Sequence, residues 1–463
     1  MAPFLRVRSH LNERGWNSKM RRLTIVIVAL GIAIVVSVSA ALLPARKDPT
    51  PASARTSGRV SLQEVVAPPI STLDLDARID GLQTRLKDNG EDPASLAQLA
   101  FAYLEKARIT AQPTWYSKAG SALRSSLGVK PRGNFGALLG MAVLSNARHD
   151  FGGSLEWAAR AIVLNPYNSY ARAVKGDALL ELGRYRAADR AFQEMIDLKP
   201  GLPSYARVSY SRELHGDVAG ALAAMRSALR SAGEIGEDAA WASYQLGELR
   251  FGEGDLARAS RLYRAASKRA PGYYLPEVGL AKVAWARGDV AGSIGILRGV
   301  VERFPLPQYV TWLGELYDTM GRHGKAARQF ALVRVEQKLF AANGVIPDVE
   351  VTNFLSDHGS PKAALRLARQ QYAGRRSIRV EDAFAWALYA NGKYGRARRH
   401  EQRALRLGTK DAVLYFHAGM IAKRVGDRAA ASRYLKRALS INPYFSILHS
   451  QRARMTLGRL GGS

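Results

Sequence analysis

The chain contains no cysteine in its 463 residues. That single absence excludes disulfides, thiolate metal centres and cysteine nucleophiles together. Histidine is sparse as well: there are eight, scattered, and none falls in an H-x-x-x-H or H-E-x-x-H spacing, so a metal site has no support in the sequence. No G-x-S-x-G elbow and no G-x-x-x-x-G-K-[ST] phosphate loop occurs. Gly252-Glu253-Gly254-Asp255 imitates part of a dinucleotide loop, but no strand pattern precedes it. These absences leave no catalytic residue and no cofactor to expect. Acidic residues are the other shortage: 39 Asp and Glu stand against 68 Lys and Arg, for a net charge of +29.

What the chain does have is period. Gly183, Gly216, Gly254, Gly288, Gly321, Gly359, Gly392 and Gly426 follow one another at gaps of 33, 38, 34, 33, 38, 33 and 34 residues. A repeat near 34 residues built from helical segments points to helix–turn–helix units, each too small to bury its apolar stripe without a neighbour. Around the glycines the same residue classes return. One unit reads Leu313, Gly314, Tyr317, Gly321, Ala326, Phe330; another reads Gly176, Leu179, Gly183, Ala188, Phe192, Pro200. Others give Leu246, Gly247, Gly254, Ala259, Tyr263, Pro271 and Gly419, Gly426, Ala431, Leu435, Pro443. Small residues let two helices approach, a turn glycine supplies positive φ, and proline ends the second helix.

This pattern resembles the tetratricopeptide repeat, in which L-G-x-x-Y in a first helix is followed by A-x-x-x-F and a closing proline in a second. The resemblance spans residues 92–445 in about nine units. One early unit has His149, Asp150 and Phe151 where the turn glycine belongs, and a weaker one covers 92–131. The unit at 345–372 keeps Gly359, Ala364 and Ala368 but no aromatic. The two 38-residue gaps put longer connections at 232–238 and 341–348. The family implies an all-α, right-handed superhelical solenoid that acts as a non-catalytic adaptor, with first helices lining a concave groove and second helices forming the outer wall.

Ahead of the array, residues 23–43 are apolar or small throughout, long enough to cross a bilayer as a helix. Arg6, Arg8, Arg14, Lys19, Arg21 and Arg22 precede the run, and Arg46, Lys47, Arg55 and Arg59 follow it. The heavier cluster stays cytoplasmic, which places the array outside the cytoplasm of a cell membrane, with residues 1–22 as a cytoplasmic segment. The run exceeds the usual signal-peptide core, so it reads as an anchor; secretion after cleavage near Ala40 or Ala45 is the alternative. Residues 44–70, rich in proline, serine and arginine, read as a solvated linker. A leading helix follows within 71–91, and 446–463 forms a capping helix and tail. The abundance of arginine, alanine and glycine resembles proteins of GC-rich bacterial genomes.

Within the array, charge divides between the walls. Second helices are cationic, as with Arg258, Arg261, Arg264 and Lys268, or Arg396, Arg398, Arg399 and Arg403. First-helix positions expected to face the groove carry Asp177, Glu181, Glu213, Glu248, Glu315, Asp318 and Asp382, opposed by Lys282, Arg379, Lys423 and Arg424. Aromatics interleave with them: Tyr170, Tyr210, Trp241, Tyr244, Trp285, Trp386, Tyr389 and Phe416. Helical arrays also pack large residues between hairpins, so each aromatic has that role open to it. The expected partner-binding residues are Tyr244, Glu248, Trp285, Glu315, Asp318, Trp386 and Tyr389, aromatics as anchors and carboxylates as orienting charges. The expected partner is a protein or peptide in the groove. Two alternatives stand beside it: anionic lipid or wall polymer drawn to the basic outer face, and service as an accessory subunit of a separately encoded transporter or enzyme. Nucleic acid is not expected, since an extracytoplasmic array would not meet it.

Overall fold

Helix–turn–helix period dictates the architecture. The computed structural model describes residues 72–110 and 112–461, and within them the chain forms 22 α-helices, one 3-10 turn and no strand. The apolar run at 23–43 and the linker at 44–70 lie outside the described residues. Among the described residues no helix is long and apolar enough to cross a membrane.

A leading helix, α1 (Thr72–Asp88), is followed by ten hairpins. The first three are α2 (Pro93–Thr110) with α3 (Thr114–Val129), α4 (Phe135–Ala147) with α5 (Phe151–Leu164), and α6 (Ser169–Glu181) with α7 (Tyr185–Leu198). The next three are α8 (Leu202–Leu214) with α9 (Val218–Ala232), α10 (Glu237–Gly252) with α11 (Leu256–Arg269), and α12 (Tyr274–Ala286) with α13 (Val290–Arg303). Then come α14 (Pro307–Thr319) with α15 (His323–Ala342), and α16 (Val349–His358) with α17 (Pro361–Gly374). The last two are α18 (Ile378–Ala390) with α19 (Tyr394–Ala404), and α20 (Ala412–Arg424) with α21 (Arg428–Ile441); α22 (His449–Gly461) closes the array. The described residues form ten hairpins where about nine were expected, and the weakly patterned stretch around 93–129 folds as a full pair without a turn glycine.

Within a hairpin, the glycine of the first helix seats the aromatic of the second. A Cβ on Gly176 would lie 2.3 Å from Phe192, one on Gly247 2.4 Å from Tyr263, and one on Gly314 2.5 Å from Phe330. At four turns a positive-φ glycine is followed by an aspartate that caps the next helix: Asp217, Asp255, Asp289 and Asp427 each accept from a main-chain N–H three residues on. Such a cap contributes about 1 kcal/mol. Asp150 does the same after His149, whose φ of 60° makes it the non-glycine in this conformation among the described residues. Gly359 departs from the pattern. Its φ is −125°, and Ser360 caps α17 from an extended conformation, so the degenerate unit turns differently. The prolines Pro166, Pro200, Pro271, Pro305 and Pro443 each sit two residues beyond the end of a second helix. The extra residues of the second long gap are divided between the lengthened helix α15 and the loop before α16.

The array coils back onto itself. Ile346 donates its N–H to the carbonyl of Arg148 at 3.0 Å, and the imidazole Nδ1 of His149 lies 2.9 Å from the carbonyl of Ile346. The N–H of Ile378 donates to the Tyr185 hydroxyl at 2.7 Å, 193 residues away in sequence. Thr409 donates its hydroxyl to the Leu214 carbonyl across 195 residues, and Asn442 donates to the Phe251 carbonyl at 2.8 Å across 191. So a superhelical turn takes between five and six hairpins. Hairpin turns line one edge of the ribbon and inter-hairpin loops line the other, and stacked turns press edge against edge. The turn glycines record it: a Cβ on Gly183 would meet the Arg376 carbonyl at 2.5 Å and one on Gly216 the Gly408 carbonyl at 2.4 Å. At Gly288, Gly321, Gly392 and Gly426, beyond the overlap, a Cβ would meet nothing within 4 Å.

Candidate functional site: the lumen of the superhelix

Closure converts the expected open groove into a lumen. One space within it, about 350 Å³, is lined by Asp177, Glu181, Arg207, Tyr210, Glu213, Tyr244, Glu248, Lys282, Tyr309, Asp348, Glu350 and Arg379. A second space of about 310 Å³ shares Glu213, Glu248, Lys282 and Arg379 with it and adds Trp285, Trp312, Asp411 and Tyr444. A third, about 300 Å³, is joined to the first through Gln308 and Glu350 and to the second through Trp312 and Phe445. It carries Glu315, Asp357, His358, His417 and His449. The walls come from both superhelical turns, so no single hairpin owns the site.

First-helix side chains reach this space because three- and four-residue spacing keeps one stripe inward. Several carboxylates are bound to a base on the next first helix. Arg207 grips Asp177 in a two-point contact, Nε to Oδ1 at 2.9 Å and Nη2 to Oδ2 at 2.7 Å. Glu248 accepts from Lys282 and from the Tyr263 hydroxyl, the latter at 2.6 Å. His358 Nε2 lies 2.9 Å from Glu315 Oε1. Other carboxyls are poorly compensated. Burial pushes Glu213 up to about 7 against the pull of Arg379, whose Nε donates to the Tyr210 hydroxyl at 3.2 Å. Burial likewise lifts Glu181 to about 7 despite Arg375, and burial followed by the Asp348 charge lifts Glu350 to about 8.

Behind the lumen wall sits the node that locks the two superhelical turns. Arg375, 5% exposed, donates from Nη2 to Asp348 Oδ1 at 2.9 Å and holds Nη1 3.9 Å from Glu181. Its guanidinium lies 5.2 Å from the centre of the Phe151 ring, and His149 Nε2 is 3.9 Å from the other Asp348 oxygen. Burial opposes ionisation of Asp348, but His149, Arg375 and the Val349 N–H outweigh it and bring the carboxyl down to about 2.

The seven residues singled out by sequence divide. Tyr244 and Glu248 line the first space, Trp285 the second and Glu315 the third. Asp318 does not reach the lumen: it sits near the hairpin turn, half-exposed, 2.7 Å from His323 Nδ1. Trp386 and Tyr389 are buried, stacked on each other at 4.6 Å, with Trp386 donating Nε1–H to Asp357 at 2.9 Å. The helix expected only to cap the end of the array accounts for this. His449 and Arg452 of α22 lie over the Trp386 ring, and Arg452 donates to the Tyr389 hydroxyl. Trp241, Tyr170 and Phe416 are buried in packing, and Asp382 is buried against His417. Sequence reasoning missed Asp348, Glu350, Arg207 and Tyr309. Asp348 belongs to the long gap, which read as a loop, and Glu350 to the helix that follows it. The outer wall is basic and exposed, as at Arg258, Arg261, Arg264 and Lys268.

A tetratricopeptide-repeat family model matches residues 170–201 and 412–445. No curated protein matches the sequence. Among solved structures, the human IFIT1 dimer with PPP-AAAA is similar at 14% identity, over 73% of this chain and 79% of that one, with a TM-score of 0.44. The Cut9–Hcn1 hetero-tetramer of the APC/C is similar at 12% identity, over 84% and 93%, with a TM-score of 0.37. A thermophilic TPR protein of Thermus thermophilus is similar at 19% identity, over 42% and 99%, with a TM-score of 0.37.

Proposed function

This chain is a tetratricopeptide-repeat protein, and on that premise we propose that it is a non-catalytic scaffold holding an extended, basic segment of a partner protein in its lumen. The sign of that lumen carries the reading. In a chain of net charge +29, the first of these spaces gathers six carboxylates, Asp177, Glu181, Glu213, Glu248, Asp348 and Glu350, against three lining cations, Arg207, Lys282 and Arg379, with Arg375 behind the wall serving Asp348 and Glu181. Burial holds Glu213 and Glu350 toward their protonated forms despite Arg379, and a lysine or arginine from a partner would supply the missing charge. Tyr210, Tyr244 and Tyr309 add hydroxyls and ring edges that suit such a cation. The spaces admit side chains and an extended backbone, not a folded domain. The same reading keeps the array at a membrane through residues 23–43, with the cationic cluster before it on the cytoplasmic side.

The test is fluorescence anisotropy of three labelled ten-residue peptides, one lysine- and arginine-rich, one neutral and one glutamate-rich, against the full chain. The basic outer wall repels a basic peptide, so affinity for that peptide reports the lumen. Selective binding of the basic peptide, weakened at least about tenfold by Glu213→Lys with Glu350→Lys, supports the proposal. Preference for the acidic peptide, or a basic-peptide affinity that the double variant leaves intact, overturns it and moves binding to the outer wall.

A further inference from the structure

Next to the lumen, the last two hairpins bury a group of ligating side chains that the scaffold reading does not use. Asp382 on α18, Glu401 on α19 and His417 on α20 are 5%, 2% and 2% exposed. His417 Nδ1 lies 2.7 Å from Asp382 Oδ1, and one ligand atom from each of the three residues lies within 4.8 Å of the others. Both oxygens of Glu401 are buried and neither receives a donor, and the Asp382 carboxyl can hydrogen-bond to it only if one of the two acids keeps a proton. A buried carboxylate in that position calls for a proton or a cation.

We propose that Asp382, Glu401 and His417 form a binding site for a divalent transition ion of the zinc class. The donor set is right for it: one imidazole nitrogen and two carboxylate oxygens, hard enough for a dication and soft enough to prefer zinc over magnesium. Metal–ligand bonds of about 2.0–2.2 Å place tetrahedral donors roughly 3.4 Å apart, so an ion would open the 2.7 Å pair and draw in any pair near the 4.8 Å limit, by up to about an ångström or a little more. The charges close, since two carboxylates and a neutral imidazole around a dication sum to zero in a site that water does not screen. The surroundings hold the ligands in place. The Trp386 ring stacks on His417 at 4.1 Å, and His400, one residue before Glu401, is fixed by Glu381 at 2.7 Å. His417 also lines the third luminal space, which gives an ion its route inward. An ion here would tie α18, α19 and α20 together, joining two successive hairpins.

The rival arrangement is a proton on Glu401, donated toward Asp382, and the experiment separates the two. The full chain is unfolded, stripped with a chelator and refolded with and without Zn2+, then assayed for bound metal and for melting temperature. A parallel sample takes Co2+ for its visible absorption. One equivalent per chain, a melting temperature raised by several degrees and a visible absorption band from bound Co2+ are expected. Glu401→Gln is isosteric with the protonated acid, so it keeps the fold, shown by unchanged helical circular dichroism, and loses the ion and the melting shift. His417→Gln is expected to do the same. Absence of stoichiometric metal in the wild-type chain, or a Glu401→Gln chain that still binds one equivalent, overturns the site and leaves the shared proton. Neither result bears on peptide binding in the lumen.

Discussion

Glu336 offers the sharpest quantitative test of how the array is held together. It lies on α15 in the stripe that also buries Val333 and Phe340, is 0% exposed, and has neither oxygen hydrogen-bonded. Burial pushes its carboxyl from 4.5 up to about 9. Between those two values the folded chain keeps a proton that the unfolded chain has released, so stability falls as pH rises through that window. Each pH unit removes about 1.4 kcal/mol, so at pH 7 the loss is about 3 kcal/mol. Glu336→Met replaces the carboxyl with a flexible apolar side chain of similar length. The variant should exceed the wild type by about 3 kcal/mol at pH 7, less as pH falls toward 4.5 and more toward 9. Urea unfolding across pH 5–8, followed by helical circular dichroism, measures the difference. Hydrogen exchange of the α15 amides localises it, since a solenoid need not unfold in one step. A constant advantage across that range would mean the carboxylate is ionised in the fold. A destabilised variant would mean the acid has a partner, and either outcome refutes the argument.

Two further perturbations probe closure of the superhelix. Gly183→Ala and Gly288→Ala share a positive-φ penalty of about 1–2 kcal/mol, but only at Gly183 does the new Cβ also strike a carbonyl of the next superhelical turn. Thermal unfolding should therefore show the Gly183 variant losing at least about twice as much, and equal losses would argue against stacked turns. Arg375→Met leaves Asp348 and Glu181 buried without their cation, with an expected loss of about 3–5 kcal/mol. Small-angle scattering should record an expanded particle. An unchanged radius of gyration would show that the turns stay together without this node.

Much of the local structure is legible in the sequence because it is enforced by nearest neighbours. The turn glycines, the seats at Gly176, Gly247 and Gly314, and the prolines two residues past several second helices act within about 34 residues. Their pattern shows in any one unit. The site is legible only in part, for a physical reason visible in Trp386. By register in its repeat it matches Glu248 and Glu315, which line the lumen, yet α22 folds over it with His449 and Arg452. Periodicity assigns a face to a residue. It cannot say which later segment returns to cover that face. Asp348 shows the reverse case: an aspartate in an inserted loop becomes part of the lumen because Arg375 and His149 draw it there.

The sequence alone determined an all-helical array, its repeat length, the helix pairing within each hairpin, and the basic outer wall set against acidic first helices. These follow from local spacing, through which side-chain direction and turn geometry act. The tertiary structure decided that the array coils back on itself between five and six hairpins later, that the groove becomes a lumen, and which carboxyls enter it without a cation. It also decided that Asp382, Glu401 and His417 meet. Those outcomes depend on small rotations between hairpins summed over long stretches of chain, as in the contact from Asn442 to Phe251 across 191 residues. A sum of that kind is fixed by packing at every interface along the way, and no single repeat contains it.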